Sequence, residues 1–121
     1  MKKILIIEDD PIAIRILQQH FVADEVEFLL AADAAEGIQK AHENKPDLVI
    51  LDVTVGGQSG LDVLEKIRHA PATASIPVIV FSAVDREDIV AEAKELGAAD
   101  YIVKGSVSLE ETLKRIRKYL I

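Results

Sequence analysis

Leu48-Val49-Ile50-Leu51-Asp52 is a run of four apolar residues closed by an acid. The run is too short for a helix, and it lacks the polar alternation of a strand with one wet face. It reads as a strand buried on both sides, which requires a parallel sheet covered by helices. The same grammar repeats outward in both directions. Ile4–Ile7, Val26–Ala32, Val78–Phe81 and Tyr101–Val103 read as further strands. Between them lie amphipathic stretches predicted as helices over Pro11–Val22, Ala34–Glu43, Leu61–His69, Arg86–Leu96 and Leu109–Leu120. Helix starts support the division. Asp33 with Glu36, Ser59 with Asp62, Asp85 with Asp88 and Ser108 with Glu111 each set a capping residue three positions before an acid. Pro11 suits a first helical turn and Gly97 a helix end. Five βα units predict an α/β fold, an open doubly wound parallel sheet with helices on both faces. The chain, residues 1–121, is expected to form a single domain.

Composition narrows the function. The chain has no cysteine, which removes thiol catalysis, disulfides and zinc–thiolate sites. Its formal net charge of −7 disfavours direct binding of nucleic acid. The basic group Lys114, Arg115, Arg117 and Lys118 reads as a solvated or partner-facing helix side. No apolar run approaches a membrane span and the start does not read as a signal peptide, so a cytoplasmic location with no membrane partner is expected.

In sheets of this kind, ligands gather beyond the carboxyl ends of the strands. Strand one runs into Glu8, Asp9 and Asp10; strand three into Asp52; strand four into Ser82; strand five into Lys104. Asp10, just before Pro11, reads equally as a helix cap. Taken together the ends set an acid pair, an acid, a hydroxyl and an amine on one rim. Crowded carboxylates repel one another, and a hard divalent ion relieves this; an all-oxygen set favours magnesium. A carboxylate is also a nucleophile toward phosphorus, and a transferred phosphoryl group needs donors such as the Ser82 hydroxyl and the Lys104 ammonium.

These residues, in this order, resemble the receiver domain of two-component response regulators, including its chemotaxis members. The resemblance runs from Lys2 to the last helix. Its marks are Glu8-Asp9, Asp52 after its apolar run, Gly60 eight residues later, Ser82-Ala83 and Tyr101-Ile102-Val103-Lys104. It implies a flavodoxin-like strand order of 2-1-3-4-5. It also implies Asp52 as the phosphoacceptor of a phosphorelay, served by a histidine kinase, a phosphotransfer protein or a small phosphodonor. Magnesium would be held by Asp9 and Asp52, by Glu8, and by the backbone carbonyl of Thr54. Ser82 and Lys104 would contact the phosphoryl oxygens. Ser82 and Tyr101 would then move as a switch, with Tyr101 turning inward to remodel the face of helix four, strand five and helix five. That face would meet a downstream effector or fused output domain, or a second copy in a homodimer. Such a protein is not a turnover enzyme; at most it catalyses its own phosphorylation and a slow autodephosphorylation.

Two positions depart from the family's common form. Gly56-Gly57 stands where a proline usually begins the turn, which predicts a permissive, mobile loop. Gly105 follows Lys104 where a proline with a cis bond is usual. A trans bond is expected here, and is expected to turn Lys104 and loosen its contact with Asp52. Two other readings compete. One is a pseudo-receiver that docks partners without phosphorylation. The other is a haloacid-dehalogenase-type phosphohydrolase, suggested by Asp52-Val53-Thr54, although that motif belongs on a first strand.

Overall fold

A computed structural model describes residues 1–21 and 26–120. The strands are β1 (Lys2–Ile7), β2 (Val26–Ala31), β3 (Leu48–Leu51), β4 (Val78–Ser82) and β5 (Asp100–Val103). All pair in parallel, in the order β2-β1-β3-β4-β5, so the implied 2-1-3-4-5 topology is observed. The helices are α1 (Pro11–Gln19), α2 (Ala34–Asn44), α3 (Gly60–His69), α4 (Glu87–Glu95) and α5 (Leu109–Arg117), the last continued by a 3₁₀ turn, Lys118–Leu120. The predicted end of α1 at Val22 lies outside the described residues, and its regular helix stops at Gln19. Among the described residues no helix is long and apolar enough to cross a membrane.

Strand periodicity splits the core into two layers. Ile4, Ile6, Leu48, Ile50, Ile79 and Ile102 point to one face and meet Leu17 and Phe21 at α1, with Leu113 and Ile116 of α5. Leu5, Ile7, Val49, Leu51, Val78 and Val80 point to the other, against Ala41 of α2, Leu64 and Ile67 of α3, and Ala93 of α4. Adjacent residues of Ile4–Ile7 and Leu48–Leu51 therefore bury in opposite layers, which is why those two runs carry no polar position.

The caps agree with the sequence in part. Asp10 accepts from Ile12 N (3.0 Å), Asp33 from Glu36 N (2.8 Å) and Ser108 from Glu111 N (3.1 Å). Asp10 is thus the cap of α1. Ser59 and Asp85 do not cap as expected. Ser59 makes no capping bond because it belongs to a hairpin, and α4 begins one residue later than predicted, with Arg86 at its cap position paired to Asp88.

That hairpin is absent from the sequence reading. Thr54–Val55 pairs antiparallel with Gln58–Ser59, and Gly56 and Gly57 turn between them with φ of 56° and 75°. Two consecutive positive φ values make a type I′ turn, the two-residue turn whose twist suits a hairpin. The glycines therefore form a defined two-residue turn. Gly60 closes the hairpin onto the site: its N–H donates to Val53 O at 2.5 Å, and a Cβ there would lie 1.9 Å from Asp52 O. Substituting Gly60→Ala must push the Asp52 backbone away. A destabilisation of about 2–3 kcal/mol is expected from this overpacking, measured by urea unfolding; a loss under about 0.5 kcal/mol would contradict the close approach.

Candidate phosphoacceptor and cation site

Register assembles the site. Ile7 lies beside Leu51, Leu51 beside Val80, and Ser82 beside Val103, so the residues just past these strands share one rim. The ladder continues past the strand ends: Asp52 N donates to Ile7 O (3.1 Å) and Lys104 N to Ser82 O (2.8 Å). Lys104 Nζ donates to Asp52 Oδ2 at 3.1 Å and also to Glu8 Oε1, bridging the two acids. Its ammonium lies 5.5 Å from the centre of the Phe81 ring, a cation–π contact that holds the chain from β4. No described peptide bond is cis, so the Lys104–Gly105 bond is trans, as expected. The expected loosening does not occur: Lys104 still reaches Asp52.

Glu8 is buried, and its second oxygen accepts from Asp9 N at 3.2 Å. Burial pushes its carboxyl up to about 6, against the pull of Lys104, and the neighbouring Asp52 adds to the rise. For Asp52 burial also acts upward, but the Ser82 hydroxyl, Glu8 and Lys104 outweigh it and hold the carboxyl below its usual range. The first proton taken up by this pair therefore sits on Glu8, and Asp52 stays an anion with a free lone pair. Burial opposes the charge on Lys104 too, yet the two acids hold it above the ordinary lysine range.

The remaining predicted residues fall around this triad. Asp9 is exposed and accepts from Gly56 N at 3.1 Å. Thr54 N donates to Asp52 Oδ1 at 3.3 Å. Thr54 pairs with Ser59 next to the hydrogen-bonded Val53–Gly60 pair, so its N–H turns away from the partner strand, toward Asp52. Ser82 is buried, and its hydroxyl accepts from Val84 N at 3.2 Å. Tyr101 is only 6% exposed and donates its phenol proton to Val84 O at 2.7 Å. It is already turned inward, whereas the resemblance implies an inward turn only on phosphorylation. The sequence reading missed Gly56 and Phe81 as site neighbours. A Gly-Gly pair between short β-prone segments was the available signal for the first; nothing in sequence points to the second.

The donors fit a hard divalent cation by chemistry: three carboxylates and a carbonyl, all oxygen, with one carboxyl raised by its burial. As they stand, Glu8 and Asp52 face Lys104, and among the described residues no three His, Asp or Glu side chains are arranged to hold a metal ion.

The comparisons with known proteins agree with this geometry. Residues 4–117 match the response regulator receiver domain family. The chain is 31% identical to protein PilH of Pseudomonas aeruginosa over 120 residues, covering 99% of this chain and 98% of that one. It is 32% identical to the alkaline phosphatase synthesis transcriptional regulatory protein PhoP of Bacillus subtilis over 103 residues, 85% of this chain. The chain spans 42% of the length of PhoP. Among solved structures, the Mn(2+)-bound form of response regulator Rcp1 superposes with a TM-score of 0.81 at 26% identity, covering 98% of this chain and 91% of that one.

The raised Glu8 carboxyl has a thermodynamic sign. The folded chain keeps a proton up to about pH 6 that the unfolded chain loses at its ordinary 4.5. The stabilisation from neutral Glu8 is therefore complete below that lower value and lost as pH rises through the upper one. Asp52 runs the other way, its contribution vanishing only as pH falls through its lowered value. Without metal, in EDTA, wild type should lose about 2 kcal/mol relative to Glu8→Gln across the Glu8 interval. Urea unfolding at several pH values measures this, and parallel profiles for the two proteins would rule it out.

Proposed function

The chain belongs to the response regulator receiver domain family, and from that premise we propose that Asp52 accepts a phosphoryl group in a two-component phosphorelay. One observation carries this reading. Asp52, kept anionic at the end of β3, is bridged by Lys104 to a buried second acid on the adjacent strand end. An Asp52 oxygen attacks phosphorus in line; the bond from phosphorus to the donor nitrogen or oxygen breaks, and that atom leaves with the electron pair. The Lys104 ammonium and the Ser82 hydroxyl are the donors for the phosphoryl oxygens, and Lys104 shifts from bridging two acids to holding the new dianion. Asp9, Asp52 and the Thr54 carbonyl, with Glu8 beside them, are the residues that would hold magnesium; a divalent ion there supplies charge neutralisation and polarises the phosphoryl group. The manganese reported for Rcp1 supports a divalent-metal site in this fold.

In this reading residues 1–121 act as one receiver unit in the cytoplasm. A histidine kinase or phosphotransfer protein supplies the phosphoryl group. The face of α4, β5 and α5 addresses an effector, an output domain or a second copy, with no direct part for nucleic acid. The basic residues of α5 and the acids Glu87, Asp88 and Glu92 of α4 give that face opposite charges for such a contact. Activity is limited to self-phosphorylation and slow loss of the group. Asp52-Val53-Thr54 follows the third strand, not the first, so the phosphohydrolase placement is not met.

A second reading is favoured by one observation. Tyr101 is already inside, bonded to the loop after β4, so the output face is set without a phosphoryl group. A phosphorylation-independent docking module would look the same at that residue. Beryllofluoride with magnesium separates the two, because only the phosphoacceptor shifts amide signals around Asp52 and Ser82.

Phosphodonor labelling followed by intact mass tests the main reading. Wild type should take one phosphoryl group with magnesium and none in EDTA, and Asp52→Asn should take none. Labelling that survives either change would overturn the assignment. Lys104→Ala should slow labelling about tenfold. That falls short of the ~10²–10³ of an enclosed donor, because the Lys104 side chain is 21% exposed. Val84 and Thr54 offer no acid or amide to orient a hydrolytic water, so the label should persist for minutes or longer; decay within seconds would count against this.

A further inference from the structure

We propose that the backbone N–H of Gly56 is a positioning donor for Asp9, holding that carboxylate ready for the cation. The inference rests on reading Asp9 as a metal ligand. Asp9 sits at an exposed turn, and the bond from Gly56 N to its Oδ2, 3.1 Å long, is the one hydrogen bond its carboxylate makes among the described residues. Without it, the side chain is free to change rotamer. A ligating carboxylate gains affinity when a neighbouring donor fixes its orientation, and one N–H leaves the other lone pairs for the ion.

The donor itself is held firmly. Val55 is fully buried, anchoring one strand of the hairpin. Gln58 Oε1 accepts from Ala34 N at 3.3 Å, tying the other strand to the first turn of α2. Gly56 lies against the β2–α2 junction, where an added Cβ would stand 3.0 Å from Ala32 O. The turn is thus braced from both sides, and its type I′ geometry aims the Gly56 N–H at Asp9.

Proline at position 56 would have no N–H to give. Gly57 has φ of 75°, which also suits the third position of a type II turn, and proline suits the second. Gly56→Pro deletes the donor and, because proline cannot adopt a φ of 56°, also converts the turn from type I′ to type II. Gly57→Ala does the converse: it strains the turn at positive φ, meets nothing within 4 Å, and leaves the Gly56 N–H in place.

Two measurements test the proposal. In metal-free protein, the Gly56 amide proton should be shifted downfield and protected from exchange, and Asp9→Ala should abolish both. By calorimetry, magnesium should bind Gly56→Pro about tenfold more weakly than wild type, while Gly57→Ala stays within about twofold. The labelling rate of Gly56→Pro should be reduced at low magnesium and recover toward that of wild type as magnesium is raised, the mark of a defect in metal affinity, while Gly57→Ala follows wild type throughout. A Gly56 amide indifferent to Asp9→Ala would overturn the proposal, as would equal weakening in both glycine variants. If wild type binds no magnesium, the cation-site reading fails, while the amide measurement still judges the Gly56–Asp9 bond by itself.

Discussion

Everything at this rim depends on how like charges are kept together. Parallel pairing of β1 with β3 brings Glu8 and Asp52 to neighbouring strand ends, where a buried and a half-buried carboxylate repel and neither is well solvated. Lys104 answers with a single ammonium that both acids share. The solution is unequal: burial makes Glu8 the acid that takes a proton first, and Asp52 keeps its charge. That inequality separates two similar residues: one holds its charge and the other is the first to give it up. Two acids sharing one ammonium also leave the site short of positive charge, which a divalent ion would relieve.

The scaffold delivers these groups rigidly. β1 and β3 bury successive side chains in opposite layers, so neither can slip by one residue without moving a charged end into a core. Gly60 lets the hairpin fold back within reach of the Asp52 carbonyl, and the hairpin sets Gly56 beside Asp9. The loop after β3 is thus a part of the site with its own secondary structure.

On the opposite side of Asp52, Ser82 and Tyr101 share the loop after β4. Val84 is the meeting point, its N–H on the Ser82 hydroxyl and its carbonyl on the Tyr101 phenol. Movement of Ser82 toward a phosphoryl group would be felt through Val84 by a tyrosine that is already inside. A partner that reads this face must bind one arrangement better than the other for any signal to pass.

The sequence by itself determined the architecture and the chemistry at the strand ends. Unbroken apolar runs such as Leu48–Leu51 admit few structures other than a two-sided parallel sheet, and such a sheet gathers the residues at its carboxyl strand ends on one rim. Glu8, Asp9, Asp52, Ser82 and Lys104 were legible for that reason. Tertiary structure alone decided how they divide the work. Lys104 keeps its hold on Asp52 through a trans bond because Glu8 and Phe81 position it, contacts made across 96 and 23 residues of sequence. The Gly56-Gly57 turn and the inward Tyr101 are settled the same way, by a braced hairpin and by the Val84 carbonyl. Local sequence records propensity and period; it does not record which distant atom will stand within about 3 Å of a given donor, and at this site those distances decide which groups meet.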